Sequence, residues 1–180
     1  MTAFVSLFRG INVGGHHGVR MDELKGVYEA LGLQDVFSYI QSGNVVFKSD
    51  DADVAQLRRQ IEDGFEERFG FHAEVFVRSS AEFREIIEKN PFLGQQSKES
   101  NWVVVLFLAA HPDDTAQEDL LRSYVGPEEI FFSGEEVYIY YTNGIGRSKL
   151  SLSLIEKKLK TFGTARNWNT MLQLQKLIER

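Results

Sequence analysis

Two turns in this chain combine glycine with cationic side chains, the residue types that hold an anion. Arg9-Gly10-Ile11-Asn12-Val13-Gly14-Gly15 stands near the start and Gly144-Ile145-Gly146-Arg147-Ser148-Lys149 near the end. Glycine lets backbone N–H groups approach a ligand, and the neighbouring Arg or Lys supplies compensating charge. The chemistry suggested is capture of a small anionic or phosphorylated ligand. Arg9, Asn12, Gly14, Gly15, Gln41, Ser42 and Asn44 would form one binding cluster, and Arg147, Ser148, Lys149, Arg166 and Asn167 a second. The same residue types also serve structure: glycines satisfy turn geometry, Ser148 suits a helix cap, and Asn44 suits a hairpin tie. The cations weigh toward a ligand, because Arg9, Arg147, Lys149 and Arg166 exceed what capping requires.

Signatures of turnover fail one by one, and no catalytic residue is assigned. Gly10 and Gly15 have the spacing of a phosphate-binding loop, but His16-His17 stand where Lys-Ser/Thr is needed. Gly15-His16-His17-Gly18 imitates the GXXG clamp of KH domains, yet it falls between a strand and a helix. No Gly-x-Ser-x-Gly elbow occurs, and no two histidines share a helix face. Ala110-His111-Pro112-Asp113-Asp114 is similar to the opening motif of zinc-dependent sugar deacetylases, which need a further histidine downstream. The histidines are His16, His17, His72 and His111, so none follows. The plainer reading is a strand-to-helix turn with Asp113 or Asp114 as the cap. No metal site and no cofactor are expected.

The elements that would position the two turns follow from periodicity. Residues 3–9 read as a buried strand and 21–31 as a helix with Met21, Leu24, Val27, Tyr28 and Leu31 on one face. Residues 36–41 and 44–48 read as strands joined at Ser42-Gly43 by a two-residue primed turn. Asp53 caps a helix striped by Val54, Leu57, Ile61, Phe65 and Phe69; residues 72–77 form a strand, and Ser79 with Glu82 makes a capping box. The order then restarts: strand 102–108, helix 115–124, strands 129–132 and 137–141, helix 149–162, strand 164–166 and helix 168–178. The fold class is therefore α+β, with two ferredoxin-like βαββαβ halves in tandem. Each has an antiparallel sheet with helices on one face and an extra helix after it. The repetition is topological, with no residue-level repeat. The halves are set at 1–91 and 101–180, with 92–100 as connector. In a split βαβ unit the first two strands are parallel, which makes the Arg9 loop and the 41–44 turn neighbours. The same logic gathers Arg147, Ser148 and Lys149 near Arg166 and Asn167, while Trp168 opens a core-facing stripe.

At these residues a family resemblance appears. Leu7 to Gly15, Tyr39 to Phe47, Asn90-Pro91-Phe92, Ser148-Lys149-Leu150 and Thr164 to Thr170 resemble, in the same order, the bacterial family catalogued as domain of unknown function 1697. The resemblance implies a duplicated ferredoxin-like fold and brings no activity, substrate or cofactor. His16, His17 and the 111–114 stretch lie outside the family pattern.

Composition bounds the remaining classes. With 180 residues, 43% hydrophobic and 26% charged, the chain is an ordinary globular one with room for a sizeable core. The absence of cysteine removes thiolate chemistry and fits a reducing compartment, here the cytoplasm. The apolar start lacks a basic lead and does not read as a signal peptide. The longest apolar run, 102–110, is too short for a membrane span. Net charge is −6, but residues 144–180 hold eight Lys/Arg against two Glu, a net of +6 that leaves −12 for the rest. That asymmetry makes nucleic acid the alternative partner to a small anion, and an enzyme of phosphorylated or carboxylated metabolites a third reading. No RNP-type aromatic run supports RNA, and Lys157, Lys158 and Lys160 also suit a solvated helix face.

Overall fold

The computed structural model describes residues 1–180. Contacts divide it into two units, Met1–Glu88 with Leu172–Arg180, and Lys89–Met171. The first holds β1 (Thr2–Phe8), α1 (Met21–Ala30), β2 (Gln34–Tyr39), β3 (Asn44–Ser49), α2 (Val54–Phe69), β4 (Val75–Ser79) and α3 (Ser80–Glu88). The second holds β5 (Val103–Leu108), α4 (Asp114–Ser123), β6 (Glu129–Ser133), β7 (Glu136–Tyr140), α5 (Leu152–Leu159) and β8 (Gly163–Asn167). The helix α6 (Trp168–Ile178) begins in the second unit and ends in the first. The sheets run β2-β3-β1-β4 and β6-β7-β5-β8, every pairing antiparallel. These are two tandem ferredoxin-like halves, as the periodicity predicts. No helix is long and apolar enough to cross a membrane.

Alternation along the strands builds each core. Phe4 and Phe8 of β1, Val45 and Phe47 of β3, and Val75 and Val77 of β4 share a face, on which Leu24, Val27 and Tyr28 of α1 and Leu57, Ile61 and Phe65 of α2 pack. Ser6 lies on that face too, and its hydroxyl meets the buried Tyr28 hydroxyl at 2.5 Å, so neither polar group is stranded. In the second unit Val104, Leu106 and Leu108 of β5 pack with Val137, Ile139, Leu120, Ile155 and Leu159.

Helix starts follow their caps. Asp53 accepts the Gln56 N–H at 3.1 Å, Asp113 the Ala116 N–H at 2.7 Å and Ser151 the Leu154 N–H at 3.1 Å. The Ser79–Glu82 capping box forms in both directions. Most boundaries shift by a residue or two, and three departures have a structural reason or are larger. The fifth helix starts at Leu152, not 149, because Ser151 rather than Ser148 is its cap, and it stops at Leu159, where Lys160 turns left-handed at φ 56°. The fourth strand is Val75–Ser79 rather than 72–77. The first hairpin link is longer than Ser42-Gly43, since Ile40 and Gly43 take φ of 49° and 82° between strands ending at Tyr39 and starting at Asn44.

Residues 172–180 join the first unit because Leu177, Ile178 and Arg180 line one cavity with Ala3, Phe37 and Val46. Despite the absence of a visible sequence repeat, the register matches residues between the halves. Phe8 pairs Val75 as Leu108 pairs Gly163, and Val5 pairs Arg78 as Val105 pairs Arg166. In both halves a glutamate on the second helix braces the last strand: Glu62 accepts the Val75 N–H at 3.0 Å and Glu156 the Gly163 N–H at 3.2 Å.

Asp113→Ala should lower unfolding free energy by about 1 kcal/mol in urea denaturation, the ordinary value of a lost N-cap. Asp114→Ala, one residue inside the helix and without a cap bond, should cost less.

Candidate functional site

The first predicted cluster assembles as the topology requires. Strands β1 and β2 both run against β3, so their C-terminal ends emerge together. The Asn12 side chain joins the two connections there. Its amide donates to the Gln41 carbonyl at 2.7 Å and to Val19 O at 3.0 Å, while its oxygen accepts the Val19 N–H at 2.7 Å. Asn12 is left-handed at φ 55°, a conformation Asn tolerates better than most residues. Beyond it the chain makes a miniature hairpin: His16 N–H bonds Val13 O at 3.0 Å and Asn12 N–H bonds His17 O at 3.1 Å. Gly14 and Gly15, at φ 59° and 76°, supply the two positive φ values of a type I′ turn. The His17 ring leans on Phe71 with centroids 4.4 Å apart.

Gly43 closes the junction from the other side. A Cβ there would lie 2.6 Å from Ile11 Cδ1 and 2.7 Å from Phe8 Cβ. Asn44 is fully buried and donates to Tyr39 O and to Ser42 Oγ, both at 2.9 Å, so it ties the hairpin. Asn12, Asn44 and the glycines thus shape the platform. Arg9 and Gln41 stand exposed on it, with Ser42 half-buried.

The second cluster is divided. Gly144, at φ 81°, leads into a 3-10 turn, Ile145–Arg147, after which Ser148 donates to Glu128 Oε1 at 2.7 Å and accepts the Leu150 N–H at 3.0 Å. Tyr124 donates to the other oxygen of Glu128. Partial burial works against the Glu128 carboxylate, but the Tyr124 and Ser148 hydroxyls overcome it and hold its pKa below the ordinary 4.5. Arg147 and Lys149 are exposed beside this knot and take part in no ion pair. Arg166 does not join them. Ala165 packs into the second core, so alternation turns Arg166 to the opposite face of the sheet. There it is buried and donates to Thr164 Oγ1 at 2.7 Å and Ala165 O at 2.9 Å, and burial lowers its pKa to about 10. Asn167 is exposed, but its side chain accepts the Thr170 N–H at 2.9 Å and opens α6. Trp168 is core, as its stripe predicts.

His111 donates from Nδ1 to Gly134 O at 2.8 Å and Asp113 caps α4, so the 110–114 stretch is a structural turn. A cluster that motif reading missed is Glu62, His72 and Glu74, whose ligand-type atoms lie within 4.8 Å of one another. The available signal was Glu62 and Glu66 at i,i+4 together with His72-x-Glu74 in extended chain, each pair sharing a face. Burial and the Glu74 charge push the Glu62 pKa up, against the Val75 N–H, Arg58 and His72. Slight burial opposes protonation of His72, but Glu74, Glu62 and Glu66 outweigh it and raise its pKa.

A family model described as "Protein of unknown function (DUF1697)" matches residues 1–138. The Ser148-Lys149-Leu150 and 164–170 motifs lie beyond the matched residues. Among solved structures, conserved bacterial protein SP0830 from Streptococcus pneumoniae is 25% identical with a TM-score of 0.75, the match covering 98% of each chain. No match is found among curated proteins.

Asn12→Gly keeps the left-handed backbone but removes the side-chain bonds. It should speed hydrogen exchange at the Val19 amide at least tenfold while costing no more than about 2 kcal/mol overall. Glu128 supplies a pH test. Its lowered folded pKa means its bonds stabilise above pH 4.5 and lose that effect as pH falls through the folded value. The stability gap between the protein and Glu128→Gln should therefore be full at neutral pH and close in acid, read from urea midpoints across pH.

Proposed function

The chain belongs to the DUF1697 family of proteins of unknown function, and on that premise we propose that it binds a small phosphorylated or carboxylated anion at the Arg9 loop. The observation carrying this reading is the Asn12 weld. One side chain bonds the Gln41 carbonyl across the junction and closes the 9–20 loop on itself with two further bonds to Val19, fixing exposed Arg9 and Gln41 on a rigid edge. Pre-organised donors on a rigid element bind at lower ordering cost than mobile ones. Arg147 and Lys149 make a second exposed cationic turn in the other unit. Arg166 and Asn167, occupied in burial and capping, are read as structural.

The nucleic-acid alternative is weaker. Of the basic residues in 144–180, Arg166 is buried and Lys158 pairs with Asp119 at 3.6 Å. The reading assigns binding and no reaction. The matched positions Glu62 and Glu156, Arg78 and Arg166, and Ser79 and Asn167 support an internal duplication behind the two halves, and the cysteine-free chain supports a cytoplasmic setting.

A thermal-shift screen against nucleotides, sugar phosphates, carboxylates and short RNA and DNA tests the reading. A small anion at a hundred times its Kd should stabilise by about 2.7 kcal/mol, a shift of several degrees. Arg9→Ala should abolish that shift in a protein that still unfolds cooperatively, and the Arg147→Ala/Lys149→Ala pair should retain it. A shift that survives Arg9→Ala, or none from any small anion, would overturn the assignment.

A further inference from the structure

We propose that Glu62, His72 and Glu74 form a three-ligand site for a divalent transition metal ion of the zinc class. The inference does not depend on the anion reading above. The donor set is one imidazole nitrogen and two carboxylates, a combination that suits zinc and its neighbours; magnesium and calcium favour all-oxygen sites. All three donor atoms fall within 4.8 Å of one another. His72 Nε2 lies 3.3 Å from Glu74 Oε1. Two donors bound at about 2.0–2.1 Å to one tetrahedral ion stand about 3.3 Å apart, so this edge of the site already has its liganded length.

The surroundings are those of a supported site. Glu66 Oε2 sits 3.4 Å from His72 Nδ1, the carboxylate–histidine arrangement that fixes the ring and directs Nε2 at a metal. The Val75 N–H holds Oε1 of Glu62 at 3.0 Å, which orients its other oxygen. Glu62 is half-buried, whereas His72 is exposed and the Glu74 side chain partly so, which leaves the site open to ions from solvent. Three protein ligands leave a fourth position for water or another small donor.

The second half serves as an internal control. Glu156 braces Gly163 as Glu62 braces Val75, and the Arg9 N–H bonds Glu74 O as the Ala109 N–H bonds Phe162 O. That register sets Phe162 at the position of Glu74 and Lys160 at that of His72. Bracing the strand therefore needs the helix glutamate alone. In the first half His72 and Glu74 are additions to it, and both point donor atoms at the same place. The competing account is a protonated His72 paired with Glu66 and Glu74, with no metal affinity.

Calorimetric titration of metal-stripped protein with zinc chloride at pH 7.5 separates the two, with magnesium chloride as control and cobalt(II) absorption as a second readout of coordination. The expected result is one zinc per chain and no magnesium heat. Affinity should fall at least about 100-fold in His72→Gln or Glu74→Gln and about 10-fold in Glu66→Gln. His72 and Glu74 lie outside the core, so either variant serves if the other folds poorly. A His16→Gln/His17→Gln variant removes the exposed histidine pair and should bind unchanged. Absence of zinc uptake at about 100 μM, uptake that survives His72→Gln, or loss in the His16/His17 variant would each overturn the proposal; the first corresponds to a Kd too weak to be a site.

Discussion

Everything in each half is placed by a central strand that is hydrogen-bonded along both edges. β1 pairs with β3 and β4, and β5 with β7 and β8, and the residues at the heart of both strands are buried on both faces. A strand so enclosed has no freedom to slip, because a shift of one residue would turn every side chain to the wrong face. Where β1 stops is therefore where Arg9 must emerge, and the bond of its last residue, Phe8 N–H to Gly43 O at 2.9 Å, already belongs to the junction with the 41–44 turn. The rigid edge carrying Arg9 extends the β1 ladder by a few bonds.

That dependence explains what the sequence could and could not disclose. Strand order and the meeting of the Arg9 loop with the 41–44 turn were legible, because apolar alternation and βαββαβ topology dictate them. The caps at Asp53 and Asp113 and the Ser79–Glu82 box were legible from local chemistry. Side-chain direction near strand ends was not. Arg166 and Asn167 are adjacent, yet alternation buries one and leaves the other at the surface as a cap, and only the register of β8 against β5 decides which. Ser148 suits a cap in sequence, but the 3-10 turn at Ile145–Arg147 delays the helix and gives the role to Ser151. His72 escaped motif reading because its partners come from a helix earlier in the chain and from its own extended segment.

Several polar residues do two jobs at once. Asn12 satisfies backbone groups in both connections while setting the shape of the exposed surface. Glu62 offsets its partial burial by accepting a strand N–H, and so ties α2 to the start of β4. Glu128 gathers two hydroxyls and thereby anchors the turn that carries Arg147 and Lys149. Polar groups fixed in this way hold their surroundings rigid, since releasing one leaves others unsatisfied.

The grouping of residues 172–180 with Met1–Glu88 bears on how the protein is made. Synthesis delivers the first half early, with its strands and helices ready to pack. The segment bearing Leu177 and Ile178 arrives only after the whole second half has been translated. The nascent first half must wait for that time with apolar positions such as Ala3, Phe37 and Val46 lacking their final neighbours. The unit translated first is thus the one completed last, and for that interval its exposed apolar surface is open to chaperones and to misassociation on the ribosome.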